Sequence, residues 1–103
     1  MTDPYERLAN AVILQAVRDY RTALCALHSY KGIGHELVLY EKLVAEGKVR
    51  EDVIMEQKLA ALRRARADKT EIEEFFHSPL YSILTDVDGE IILKRLQEEV
   101  DRK

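Results

Sequence analysis

The chain predicts an all-α fold: a small helical bundle with two long helices, a shorter middle helix and a C-terminal helix, in a single domain over residues 1–103. Three observations carry this expectation. Only four glycines and two prolines interrupt the 103 residues, so long stretches contain no backbone breaker. Apolar residues recur at steps of three and four, the period of a helix face rather than of a strand. Residues able to cap a helix stand where those periodic runs begin. Hydrophobic residues at 47% and charged residues at 34% suit a folded chain of one domain's length.

The first helix is predicted from Asp3 as cap, Pro4 at the first helical position and Glu6 as the second half of a capping box. Ala9, Ile13, Ala16, Tyr20, Ala23, Leu24 and Leu27 then draw one apolar stripe, and Arg7, Asn10, Gln15, Arg18 and Arg21 fall largely off it. No breaker appears until Gly32. A helix of about 25 residues runs about 37 Å, against a diameter of about 33 Å for a compact globule of this length. It is expected to cross the whole molecule, or to overhang it and invite a second subunit.

A shorter helix is predicted over 36–46, with Leu37, Tyr40, Leu43 and Val44 on one side and Gly47 as its stop. The run Leu37-Val38-Leu39-Tyr40 also suits a buried strand, but the good helix formers from Glu41 to Glu46 favour helix. Beyond a link at 48–50, Met55, Leu59, Leu62, Ala65, Ile72 and Phe76 keep the helical repeat if Lys69 occupies the missing position. Thr70 and Glu73 have capping-box spacing and offer a split, but without Gly or Pro between Asp52 and Ser78 one long helix is expected. Ser78-Pro79 ends it and caps a short helical turn over 80–84. Asp88-Gly89 is a hairpin signal by type. Against it, Ile92, Leu96 and Val100 recur at steps of four with Leu93 between them, Glu90 suits a helix start, and Arg102 and Lys103 suit its end. A C-terminal helix is predicted.

Charge and cysteine content exclude several classes of function. A formal charge of −3 lacks the basic excess of a dedicated duplex binder. The single cysteine, Cys25, excludes an internal disulfide and suits a reducing compartment. No basic-then-apolar leader opens the sequence and no apolar run approaches the ~18 residues that span a bilayer. A cytoplasmic protein without a membrane partner is expected.

The candidate motifs are few. Asp86-x-Asp88-Gly89 resembles part of a calcium loop, but either frame puts a wrong residue at an obligatory position, so helix capping explains it. Cys25-x-x-His28 shares a helix face, yet a metal would need further ligands, and only His35 and His77 remain as histidines. A core cysteine beside a surface histidine is expected there. Lys31-Gly32-Ile33-Gly34 is expected as a helix-joining turn, with an anion nest of backbone amides as the alternative. Lys58, Arg63, Arg64, Arg66 and Lys69 form the only basic concentration. Snorkelling cations on a surface helix explain them, and an anion site is the functional alternative. Such a site would use Lys31, His35, Arg63, Arg64 and Arg66, with Tyr30 or Tyr40 to stack on a base. The carboxylates Glu71, Glu73, Glu74, Asp86, Asp88, Glu98 and Glu99 show no acid–base pairing and fit solvated faces. Tyr5, Tyr20, Tyr30, Tyr40, Tyr81, Phe75 and Phe76 are expected as core or interface anchors.

Two stretches carry a family resemblance. Residues 9–21 read Ala-Asn-Ala-Val-Ile-Leu-Gln-Ala-Val-Arg-Asp-Tyr-Arg, and residues 71–90 contain Glu-Phe-Phe-His-Ser and Leu-Thr-Asp-Val-Asp-Gly-Glu. Together they resemble a group of short uncharacterised helical proteins encoded by bacterial phages, prophages and other mobile elements. The match covers roughly a third of the chain. Residues 31–58 look like a divergent middle, and an aromatic is usual where Leu80 and Ile91 stand. The resemblance implies origin and supplies no catalytic residue.

The expected function is therefore a non-enzymatic binding protein of a phage or mobile element, without cofactor or metal, working as a homo-oligomer in the bacterial host cytoplasm. It would act on a host target, either by inhibiting a defence complex or by sequestering an anionic nucleotide. The alternative is an oligomeric nucleic-acid-binding accessory protein or transcriptional regulator.

Overall fold

The computed structural model describes residues 3–102. Five helices follow one another: α1 (Pro4–Ser29), α2 (Gly34–Ala45), α3 (Val53–Phe76), α4 (Pro79–Leu84) and α5 (Gly89–Asp101). The described residues contain no strand. The fold is all-α, as the periodicity predicts.

Side-chain caps explain most of the helix starts. Asp3 accepts from the Tyr5 amide, and Asp52 accepts from the amides of Ile54 and Met55. Ser78 accepts from the Tyr81 amide and Asp88 from that of Glu90. Each bond satisfies an amide that has no partner inside its own helix. The Asp88 cap settles the fork at Gly89 in favour of helix. Gly47 has a φ of +72°, the left-handed conformation that ends a helix, and the Lys48 amide closes that turn on the Leu43 carbonyl. Thr70 does not split α3: its hydroxyl donates back to the Arg66 carbonyl within a continuous helix.

The N-terminal half of α1 packs against the C-terminal half of α3, and the C-terminal half of α1 against the start of α3, so the two long helices are antiparallel. Two apolar clusters sit at opposite ends of this pair. The larger gathers Tyr20 and Leu24 of α1, Phe76 of α3, Tyr81 of α4, and Leu93, Leu96 and Val100 of α5. Phe75, Phe76 and Tyr81 meet edge-on, with ring centroids 5.2–5.8 Å apart. The smaller gathers Leu37 and Tyr40 of α2 with Leu59 and Leu62 of α3. Each fully buried leucine contributes roughly 1.5–3 kcal/mol.

Separating the clusters along one axis makes the molecule a rod of 62 × 25 × 20 Å with a radius of gyration of 17.7 Å. A compact domain of this length would have a radius near 13 Å. Helix α1 overhangs instead of spanning a globule. Its first turns leave Tyr5 (82% exposed) and Leu8 in solvent, beside the exposed Ile83 of α4.

The predicted stripe of α1 is buried at Ala9, Tyr20, Ala23 and Leu24 and half-buried at Ile13, Ala16 and Leu27, with one neighbour misassigned. Cys25 is exposed, not a core cysteine. It lies about 100° round the helix from Leu24, which takes the core position, so apolar character does not override helical phase. Tyr5 likewise anchors nothing within the chain.

Candidate functional site

Helix α5 covers one side of the α1–α3 pair and leaves the other side open. There a groove of about 810 Å³ runs between the two long helices. From α1 it is lined by Val12, Gln15, Asp19, Thr22 and Ala26, and from α3 by Ala61, Arg64, Asp68, Glu71 and Phe75. Both sets follow a 3-4-3-4 spacing, which aligns side chains along one edge of a helix. Ala16, Ala23 and Ala65 form the floor between them. Small floor residues let a further helix approach closely, near the 8 Å end of the usual range of interaxial distances.

The electrostatics of the groove are one-sided. Three carboxylates, Asp19, Asp68 and Glu71, face a single cation, Arg64. None of the four belongs to an ion pair among the described residues. Asp19 accepts one hydrogen bond, from Gln15 at 2.9 Å. The ion pairs among the described residues lie elsewhere, as between Arg21 and Glu99, Arg63 and Glu41, and Lys69 and Glu73.

A second polar constellation lies on the opposite, α5 side. The Tyr20 hydroxyl accepts from the Gln97 amide at 2.9 Å and donates to Glu73 at 3.3 Å. Lys69 donates to both oxygens of Glu73 at 2.9 and 3.2 Å. Burial pushes the Tyr20 hydroxyl above the ordinary tyrosine range, so it stays protonated and able to donate. The bond to Glu73 raises Lys69 and keeps it charged. Every group has a partner, which makes this a structural bracket between α1, α3 and α5. Tyr40 plays a similar part at the other end, accepting from the Asp52 amide at 2.8 Å and donating to Glu56 at 2.9 Å.

The five cations predicted as an anion site lie at several separate places. Arg63 is paired to Glu41 of α2, and Arg64 lines the α1–α3 groove. Arg66 is exposed, and successive steps of 100° spread these three arginines round α3. Lys31 lies instead in a groove of about 390 Å³ with His28, Lys69, Gln97 and Asp101. His35 is exposed near the start of α2. No groove described above gathers the five. The segment from Lys31 to Gly34 is a helix-joining turn: neither Gly32 nor Gly34 has a positive φ, which the alternating backbone of an anion nest requires. Among the described residues no group of three or more His, Cys, Asp or Glu side chains is arranged to hold a metal ion, and no helix is long and apolar enough to cross a membrane.

One titratable contact is suited to a direct test. His77 caps the end of α3, with Nδ1 2.8 Å from the Glu73 carbonyl and Nε2 against the Glu90 carboxylate of α5. The Glu90 bond, then the Glu73 carbonyl, raise the His77 pKa above 6.5. Folding thus favours the protonated ring. Its contribution is complete below the unfolded pKa and is lost as pH rises through the folded value. Urea midpoints are expected to fall between pH 6 and pH 8, and H77Q is expected to flatten that slope.

Sequence reasoning pointed to Lys69 as the interruption of the α3 stripe, and the bracket with Tyr20 and Glu73 sits there. It missed the open groove, because the 3-4-3-4 edge is half polar and gives no apolar stripe. Comparison of the chain with known protein families, with curated proteins and with solved structures finds no match.

Proposed function

We propose that the chain is a non-enzymatic binding protein that acts on a host protein, with the α1–α3 groove as its docking surface. The observation that carries this reading is the open face itself: two long helices pack on one side only and leave a small-residue floor uncovered over 12–26 and 61–75. Helix-in-groove docking is a general mode of peptide and protein recognition. The dispersed cations favour the protein-target arm of the sequence expectation over nucleotide sequestration. A phage or mobile-element origin rests on the resemblance of 9–21 and 71–90. Self-association fits the other end of the rod, where Tyr5, Leu8, Leu80 and Ile83 leave large apolar side chains exposed.

Ala61 is exposed and lies within the groove, so A61R blocks the surface while leaving both apolar clusters untouched. Tagged wild-type protein is expected to retain a bacterial host protein that A61R loses, at equal helicity of the two baits. Equal retention by both would remove the groove from the function.

A further inference from the structure

We propose that the groove receives an amphipathic helix with a cationic face, lying along α1 and α3 as an additional helix of the bundle. The proposal rests on the reading of the groove as a docking surface and specifies the chemistry of what docks.

Three features of the groove select that occupant. Its length, fourteen residue steps on each helix, corresponds to about 21 Å of helix, or four turns. Its lining is small at one end, at Ala23, Ala26, Ala61 and Ala65, and bulkier at the other, where Val12, Ile72 and Phe75 flank Ala16. A helix with leucine-sized side chains at steps of three and four would seat them over the small end and lie shallower over the larger one. Its charge selects the flanks. Asp19, Asp68 and Glu71 stand along the walls without ion-pair partners among the described residues, and Arg64 alone opposes them. An approaching apolar face strips water from these carboxylates, which costs free energy unless cations replace it. Lysine or arginine flanking the docked stripe would meet them.

The same charges disfavour a second copy of this chain in the groove. A two-fold axis at the middle of the groove, at the level of Asp19 and Asp68, would bring each of these carboxylates towards its own counterpart. Two arginines would then face six carboxylates. Nucleic acid is disfavoured for the same reason.

The probes are two synthetic 18-residue helices with identical leucine positions at steps of three and four. One carries Lys and Arg on the flanks and the other Glu. Fluorescence anisotropy is expected to show the cationic peptide binding at least about tenfold tighter than the anionic one, since exposed ion pairs contribute only ~0.2–1 kcal/mol each and three carboxylates act together. D68K/E71K is expected to weaken the cationic peptide roughly tenfold, and R64E to tighten it about threefold. The gain in R64E keeps the test decisive if the double variant fails to fold. Raising salt from 50 to 500 mM is expected to weaken binding. Equal binding of the two peptides, no binding of either, or indifference to Arg64 would overturn the proposal. Self-association abolished by A61R would assign the groove to a second copy, ending the cationic-helix proposal but keeping the groove as a docking surface. If instead A61R changes neither self-association nor the retention of any host protein, the docking reading falls.

Discussion

Replacing Gly89 with alanine is expected to lower the stability of the fold by about 3 kcal/mol, at the upper end of what overpacking costs. A Cβ at Gly89 would stand 2.4 Å from the Phe76 carbonyl oxygen and 3.1 Å from its carbon. Both are backbone atoms, so no rotamer change relieves the clash. Helix α5 begins where its backbone passes the end of α3, and either α5 must lift off or the end of α3 must move. Both responses disturb the larger cluster, because Phe76, Leu93 and Leu96 meet there. Domains of this size lose roughly 4–8 °C in Tm per kcal/mol, so the variant should melt about 12–24 °C lower. Gly34 supplies the contrast. It opens α2 with nothing within 4 Å of its Cβ position and no positive φ, so G34A should be neutral or slightly stabilising. Parallel thermal melts followed by circular dichroism decide the matter. Equal melting of the two variants would mean that α3 and α5 do not approach this closely.

Gly89 also illustrates what a sequence can and cannot disclose. Beside Asp88 it has the form of a hairpin turn, and only the spacing of Ile92, Leu93, Leu96 and Val100 turns the expectation towards helix. That spacing is a local property, and so are the caps at Asp3, Ser78 and Asp88; hence the helices and most of their buried faces were legible. The reason the position excludes a side chain is not local: it is set by where Phe76 lies, thirteen residues earlier. The groove was hidden for the same kind of reason. Each of α1 and α3 has a face towards the core and another at 3-4-3-4 spacing, and the sequence does not reveal on which side α5 will lie. Lys69 is the intermediate case. Its place within an apolar stripe marked it as partly buried, but the partner that makes burial tolerable is Glu73, which reads as one more solvated carboxylate and is itself held by the Tyr20 hydroxyl of α1. Arg63, Arg64 and Arg66 show how helical phase disperses neighbours in sequence: one pairs with Glu41, one lines the groove and one stands in solvent.

Tyr20 separates the two forces that hold the long helices together. Its side chain is fully buried at 0% exposure, and its hydroxyl joins Gln97 of α5 to Glu73 of α3. Y20A removes the ring from the larger cluster and is expected to cost about 4 kcal/mol, within the ~3–5 kcal/mol of large aromatic-to-alanine changes in cores. Total stabilities of such domains run from about 5 to 15 kcal/mol, so a large part of the folded population is at risk. Y20F keeps the ring and deletes only the hydroxyl. Its cost should be near 1 kcal/mol, the net worth of a typical hydrogen bond. The smaller figure follows from what the deletion leaves behind. Glu73 keeps both contacts to Lys69, and Gln97 and Glu73 are both partly exposed, so water can replace the lost partner. Urea denaturation of the two variants therefore weighs packing against the polar bracket, with packing, the difference between the two losses, expected to dominate about threefold. Were Y20F to cost as much as Y20A, the bracket and not the cluster would be holding α5 against the α1–α3 pair. In that event substitutions at Lys69 or Gln97 should reproduce the whole loss.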